Sequence, residues 1–531
     1  MSLPVLTVEQ MRTWERATWA AGVTETEVIA RVGKAVANKI REMVPGGGRV
    51  VLLAGKGNNG NDIRAAVPHL VPEATAIPPQ GTSESFGALQ AGSVYQIALI
   101  EITDPVEARP RLEQVLAGGP KLVVDGLFGI GLNRALSADW CCLIEAVNAS
   151  GLPVLAVDVP SGLDADSGGH FGAVIRADVT LTVGAPKCGL VSDGARESVG
   201  RLEVVTEVGL LPDLESVVGE ASGRCHEDGS RFLQAWTVAG DFAGLPPRRR
   251  VESHKGIYGH LVVLAGSLGY HGAAVLAAKA AGAARPGLVT VITSPEAYPA
   301  VAAQLAFAMV RTWNEPLALP AKATAVLIGP GLAGRDVPDW LRMQTKAWWR
   351  ELPLPLVVDA SALDWLAAEH RQSNAPIHGD GLGDPGTPAT KTHEGPNRPQ
   401  AGGPIRVITP HPGEAQRWLQ PGRHELDCSR ETLLNALTPV GIVVLKGHQT
   451  LIREGEGPIF LNPTGNPGLA QGGTGDVLAG FLGGLLAQPA LQRDPLLTTR
   501  YAVWEHGAAA DRLESIRRNW TAEDLASEIG R

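Results

Sequence analysis

What most restricts this chain is a pattern that occurs twice. Short Val/Leu-rich runs, which as a set do not alternate with polar residues, end in glycine or a carboxylate and are followed by a helical stretch. The runs are 49–55, 121–129, 153–162 and 178–187 in the first half, then 260–267, 288–293, 325–332, 355–363, 406–414 and 441–452 in the second. Unbroken apolar runs belong to parallel strands covered on both faces, whereas a strand with one wet face alternates. The pattern predicts an α/β chain of two doubly wound units, with ligands beyond the carboxyl ends of the strands. A length of 531 residues also exceeds what one core ordinarily holds.

The pattern lapses between about 211 and 247, closing on Leu245-Pro246-Pro247-Arg248-Arg249-Arg250. This predicts a first domain over 1–215, a linker over 216–245 and a second domain over 246–531. Residues 372–404, rich in Gly, Pro, Thr, Asn and His, interrupt the second domain and are expected to form a mobile surface insert.

Composition excludes several classes. A net charge of −9 leaves no basic face for nucleic acid, and the lone basic run, Arg248 to Arg250, suits a solvated linker. The 64 glycines and 39 prolines stay under a fifth of the chain, below the roughly 25–30% that signals disorder, so many must serve turns and close approaches. Cys141, Cys142, Cys188, Cys225 and Cys428 are odd in number and form no C-x-x-C pair, which predicts neither a disulfide framework nor a zinc site. The longest apolar run, 477–487, is too short for a bilayer, and the first ten residues lack a secretory signal pattern. A cytoplasmic protein without membrane partners is expected.

In the first half, Gly55-Lys56-Gly57-Asn58-Asn59-Gly60 follows a strand with GxGxxG spacing. Alone this suits a dinucleotide-binding turn or a plain strand-to-helix turn, although four polar side chains, through Asn61 and Asp62, favour ligand contact. Asp125 and Asp158 end two further runs. A single strand-end aspartate is commonly a helix cap, but three such loops at one sheet edge point to a site.

The segments Gly55–Gly60, Asp125-Gly126-Leu127-Phe128-Gly129-Ile130-Gly131-Leu132 and Val157-Asp158-Val159-Pro160-Ser161-Gly162-Leu163-Asp164-Ala165-Asp166-Ser167-Gly168 together resemble the NAD(P)H-hydrate epimerase (YjeF N-terminal) family over about 6–208. The resemblance implies a Rossmann-like sheet and a potassium site at Asn59, Asp125 and Ser161. It also implies hydrate contacts from Asn58, Asn59, Gly60, Asn61 and Asp62, from the loop Gly129, Ile130, Gly131, Leu132, Asn133, Arg134 and Ala135, and from Asp158. The hydrate's hydroxyl sits next to the ring nitrogen, whose lone pair expels it once a proton is supplied. Asp158, partnered by Lys187 of Gly184-Ala185-Pro186-Lys187, suits that acid/base work.

In the second half, Gly472-Gly473-Thr474-Gly475-Asp476 is the most telling motif. A Gly-Thr-Gly turn opening a helix leaves backbone N–H groups free for an anion, and Asp476 beside it can deprotonate a hydroxyl that attacks phosphorus. No Walker A sequence occurs. Around it stand His254-Lys255-Gly256, Gly266-Ser267, His271-Gly272-Ala273-Ala274, Ile328-Gly329-Pro330-Gly331, Val358-Asp359-Ala360-Ser361, Thr409-Pro410-His411-Pro412-Gly413-Glu414 and Leu445-Lys446-Gly447-His448-Gln449-Thr450. Lys446, ending a buried strand, cannot be core, because an unpaired buried ammonium is too costly.

This series resembles the ADP/ATP-dependent NAD(P)H-hydrate dehydratase family, with its ribokinase-like fold, from about 245 onward apart from the insert. The resemblance implies that Ala273, Gly331, His411 and Asp476 contact the hydrate. Lys446, Gly447, His448, Gln449, Thr450 and Gly475 would hold the phosphates of ADP or ATP with Mg2+. Both halves in this order imply a bifunctional lyase and isomerase acting on NADHX and NADPHX, expected as a homo-oligomer. A rival reading is a ribokinase-like small-molecule kinase whose first half binds a nucleotide without catalysis, and another makes the first half an oligomerisation or binding module.

One departure stands out. The family loop Asn-Asn-Gly-Gly-Asp-Gly reads here Asn58-Asn59-Gly60-Asn61-Asp62-Ile63. If backbone must curl around a ligand there, Asn61 tolerates positive φ but β-branched Ile63 does not. The expectation is a first domain that folds and keeps its ion yet epimerises weakly or not at all.

Overall fold

The computed structural model describes residues 2–71, 94–211, 234–373, 403–419 and 429–531. It divides into two compact units, Leu3–Trp236 and Thr237–Arg531. Most of the 372–404 insert lies outside the described residues.

In the first unit, β1 (Leu3–Pro4) pairs antiparallel with β8 (Gln234–Trp236). The remaining strands are β2 (Gly48–Ala54), β3 (Tyr95–Glu101), β4 (Leu122–Gly126), β5 (Val154–Val157), β6 (Val179–Val183) and β7 (Arg201–Val205). They form a parallel sheet in the order β3-β2-β4-β5-β6-β7. Val50, Leu52, Val124 and Leu155 pack on one face, whereas Val51, Leu53, Val123 and Ala156 pack on the other. Both faces are thus dry, as the unbroken runs require. The stretch taken as a linker is not wholly irregular, because β8 lies within it.

The second unit carries β9 (His260–Leu264), β10 (Leu288–Thr293), β11 (Met309–Thr312), β12 (Ala325–Ile328), β13 (Leu356–Val358), β14 (Arg406–Ile408), β15 (Ile442–Leu445), β16 (Leu451–Glu454) and β17 (Ile459–Leu461). Their order is β17-β16-β15-β14-β13-β12-β9-β10-β11. From β15 through β11 neighbours run parallel, whereas β16 and β17 are antiparallel additions. The run 441–452 is therefore two strands, with Leu445 opposite Leu451 and the turn at Lys446–Thr450 between them. Helix Thr474–Leu486 lies against the alanine-rich helix His271–Ala283. At Gly480 a Cβ would stand 2.1 Å from the Ala277 carbonyl oxygen, so only glycine admits this approach.

Two observations bear on the compositional expectations. No helix among the described residues is long and apolar enough to cross a membrane. Cys141 and Cys142 are free thiols, and Cys225 and Cys428 lie outside the described residues.

Candidate active sites

The first site gathers beyond the carboxyl ends of β2, β4, β5 and β6. Asn58, Asn59, Asp62, the loop Gly129 to Ala135, Asp158 and Lys187 line one cavity of about 950 Å³. Gly60 and Asn61 are not part of its wall. Gly60 is buried and packs on Gly55, and the Asn61 carboxamide oxygen accepts from Arg64 Nη1 at 2.9 Å.

The cavity's one deeply buried cation is fully committed. Lys187, 1% exposed, donates to Asp158 Oδ1 at 2.6 Å, Thr182 Oγ1 at 2.9 Å and the Val183 carbonyl at 2.8 Å. Asp158 in turn sits at φ 62, a left-handed conformation that aspartate takes more readily than most non-glycine residues. Its Oδ1 is held there by Lys187, Thr182 Oγ1 and the Val183 N–H, while Oδ2 lies on the Gly129 side of the cavity. Burial, then the charges of Asp158 and Glu15, push the Asp62 carboxyl up to about 8. Burial and Asp158 also raise Glu15.

Beneath the cavity, Asp125 is fully buried and accepts from the Ser161 N–H at 2.8 Å, the Ser161 hydroxyl at 2.7 Å and the Leu127 N–H at 3.2 Å. Burial still lifts its carboxyl to about 6, because no cation pairs with it among the described residues. Asn59 Nδ2 donates to the Phe128 carbonyl at 2.6 Å, leaving its buried Oδ1 without a partner. An orphaned carboxamide oxygen, a buried carboxylate and a serine hydroxyl form a set of oxygens able to hold a cation.

The segment holding Asn58 to Asp62 is not a loop. It opens helix Asn58–Leu70, capped by Gly57, and continues through Ile63. Neither Asn61 nor Ile63 has positive φ; the described non-glycine residues that do are Asp158, Arg285, Ala360 and Gln449. Ile63 is fully buried in the apolar layer with Val50, Leu52, Ala66 and Val124. The expectation of strain and bulk at the ligand is thereby corrected: these two side chains are ordinary helix residues, one in the core and one paired with Arg64.

The second site also lies at strand ends. Asp359 follows β13, Thr409 follows β14 and Lys446 follows β15. Lys446 Nζ stands 2.9 Å from Asp359 Oδ1 and 3.8 Å from Glu414 Oε2, and the Thr409 hydroxyl donates to the same Asp359 oxygen at 2.8 Å. Burial opposes the Lys446 charge, but Asp359 and Glu414 outweigh it and hold its pKa raised. At Gly475 a Cβ would sit 3.5 Å from Lys446 Nζ, which places the ammonium against the Gly-Thr-Gly turn. Gly473 makes that turn at φ 96. Asp476, in the first helical turn, is pushed up to about 7 by burial and the Asp359 charge, with Lys446 opposing.

His411 Nδ1 accepts from the Gly413 and Glu414 N–H groups at 3.1 and 3.4 Å, and burial lowers its pKa against the opposing charge of Glu414. Ala273, in the first turn of its helix, meets the Gly331 loop: a Cβ on Gly331 would be 2.9 Å from that of Ala273. Between β15 and β16, Gly447 and Gln449 both turn at positive φ, the Thr450 hydroxyl donates to the Gly447 carbonyl at 3.0 Å, and Arg430 braces the His448 carbonyl.

Sequence reasoning missed Glu15, Arg12 and Trp19, which enter the first cavity from helix Val8–Ala20. No strand-end signal marks them. Asp359 and Glu414 lie in quoted motifs but carried no role until Lys446 was found between them.

A family model described as YjeF-related protein N-terminus matches residues 25–189, and one described as NAD(P)H-hydrate dehydratase matches 261–378 and 393–531. The chain is 34% identical over 528 residues to the bifunctional NAD(P)H-hydrate repair enzyme Nnr of Coxiella burnetii, covering 97% of this chain and 96% of that protein. Nnr of Escherichia coli is 31% identical over 529 residues, covering 96% and 90%. Among solved structures, the ADP/ATP-dependent NAD(P)H-hydrate dehydratase from Bacillus subtilis, co-crystallized with ATP/Mg2+, is 30% identical over 53% of this chain and 91% of that one, with a TM-score of 0.40.

Proposed function

The chain belongs to the family of bifunctional NAD(P)H-hydrate repair enzymes, and we propose the residues through which each half acts. The domain spanning 1–215 interconverts the R and S hydrates. The domain spanning 246–531 dehydrates the S form, with ADP or ATP as phosphoryl donor. The observation that carries this reading is Asp476 in a glycine turn, raised to about 7 and facing a lysine that two carboxylates hold charged.

In the dehydratase half, Asp476 takes the hydroxyl proton and the hydrate oxygen attacks the terminal phosphorus. The bond to the departing nucleotide breaks as the new P–O bond forms. Lys446, Gly475 and the 446–450 turn take up phosphate charge. Phosphate then leaves carbon far more readily than hydroxide, pushed by the ring nitrogen, and loss of a neighbouring proton restores NAD(P)H. Ala273, Gly331 and His411 seat the ring. Mg2+ favours carboxylate and phosphate oxygens, so Asp359 and Glu414 are the side chains that would meet it, and it would neutralise phosphate charge there.

In the epimerase half, the neutral Asp62 carboxyl donates the proton with which the hydroxyl leaves as water. Asp158, fixed by Lys187, receives a proton as water returns to the opposite face. Potassium fits the set formed by Asn59 Oδ1, Asp125 and Ser161, where it would satisfy the orphaned oxygen and hold the three elements together. Thermal unfolding tests this without reference to turnover. KCl should stabilise the protein over NaCl of equal ionic strength, by about 1.4 kcal/mol at ten times Kd. Asp125→Asn should abolish the difference, and a wild type indifferent to the cation would remove potassium from the site.

We place the enzyme in the cytoplasm as a homo-oligomer, which light scattering on the full chain tests. The function itself is tested by supplying NADH hydrate with ADP or ATP. Absorbance at the dihydronicotinamide band should recover with release of inorganic phosphate, whereas a stable phosphorylated product would indicate a small-molecule kinase.

A further inference from the structure

His506 is a buried titratable group that the mechanism above does not use. It lies within helix Pro495–Ile516, 8% exposed, with Nε2 2.9 Å from the Thr474 carbonyl oxygen. Burial pushes its pKa down to about 4, so the ring is neutral and carries one N–H. A carbonyl only accepts, which assigns that hydrogen to Nε2.

The Thr474 carbonyl shares a rigid peptide plane with the Gly475 N–H, and in a trans peptide the two point in opposite directions. Anchoring the oxygen on His506 therefore aims the N–H away from His506, toward the helix N-terminus. Donation to the oxygen also polarises the amide and strengthens its N–H as a donor. Thr474 is tied down a second way, since its hydroxyl shares its one hydrogen between the Leu469 and Gln471 carbonyl oxygens, 2.9 and 3.1 Å away. The same long helix anchors the segment leading to the turn. The Trp504 carbonyl accepts from the Thr464 hydroxyl at 2.7 Å, and Asp511 accepts from the Gly465 N–H at 3.0 Å and Asn466 Nδ2 at 3.1 Å.

We propose that His506 is a positioning residue of the dehydratase: through the Thr474 carbonyl it fixes the Thr474–Gly475 peptide so that the Gly475 N–H faces the nucleotide phosphate. The proposal rests on the reading of the Gly473–Asp476 turn as the phosphate site, and it assigns His506 no contact with substrate.

The test uses the full chain with His506→Leu, which fills the space without a donor, and His506→Gln, which keeps an N–H at similar reach. His506→Leu should lower kcat of dehydration by roughly 10- to 100-fold, the usual cost of misplacing a catalytic element by about 1 Å. It should also weaken binding of a non-hydrolysable ATP analogue, measured without hydrate. His506→Gln should recover most of both losses, although the two variants lose the same imidazole packing and should have similar thermal midpoints. His506→Leu at the wild-type rate, or the two variants equally slow, would overturn the proposal. The binding measurement separates it from the functional reading: a wild type that binds the analogue but fails to dehydrate counts against the reaction, while the difference between variants still decides the role of His506.

Discussion

Replacing Asp476 by asparagine is expected to lower dehydration by ~10²–10⁴-fold, the usual loss on removing a general base, while leaving nucleotide affinity within a few-fold. The amide keeps the shape of the turn and removes only the proton acceptor. A variant with near-normal turnover would sink the assignment. The pH profile gives an independent check, because Asp476 must be ionised to act and its pKa lies at about 7. Below that value kcat/KM should fall tenfold per pH unit, since kcat/KM follows the free enzyme. Stability should move the opposite way. A carboxyl whose folded pKa stands above its unfolded value of about 3.9 binds protons better when folded, so stability declines as pH rises through that window. At pH 8, Asp476→Asn should thus melt no lower than the wild type. Activity lost at unchanged or higher thermal midpoint is the signature of a base held in an environment that disfavours its charge.

What the sequence revealed and what it hid divide along physical lines. Strands covered on both faces show themselves as unbroken apolar runs, and β2, β4, β5, β9, β10, β12 and β15 were all visible in that way. Edge strands have a wet side and lose the signal. Thus β11, with Met309, Arg311 and Thr312 exposed, escaped notice, and so did the edge strand β3, although its Ile97-Ala98-Leu99-Ile100 is an unbroken apolar run. Carboxylates at strand ends were legible because the architecture dictates that loops converge there. Glu15 was not, because nothing in a helix sequence tells which of its acids will face a cavity built by other elements. His506 was silent for a similar reason: its partner is a backbone oxygen 32 residues away. The glycine-rich string after β2 misled in the other direction. Gly57 caps the helix at the cavity wall, and from Asn58 onward the residues are helical.

That last point turns the expectation for the first domain around and makes a second large effect testable. If the segment curled around its ligand, Asn61→Gly with Ile63→Gly would relieve strain and speed epimerisation. The helix makes the pair a deletion instead. Ile63 is fully buried, so truncating it to alanine would cost ~2–5 kcal/mol, and glycine in place of alanine inside a helix adds about 1 kcal/mol. Losing the Asn61 acceptor for Arg64 Nη1 adds a hydrogen bond of ~0.5–1.5 kcal/mol at most, less because the pair is only partly buried. The double variant should therefore lose roughly 3–6 kcal/mol in denaturant unfolding of the first domain. It should convert R-hydrate no faster than the wild type. Asp158, Lys187 and Asp62 need the helix in place, since Asp62 is carried on it one residue before Ile63. A double variant that unfolds at the same denaturant concentration and epimerises faster would restore the strained loop. Equal stability requires that Ile63 not be in the core, and faster turnover requires that it obstruct the cavity, and the helix allows neither.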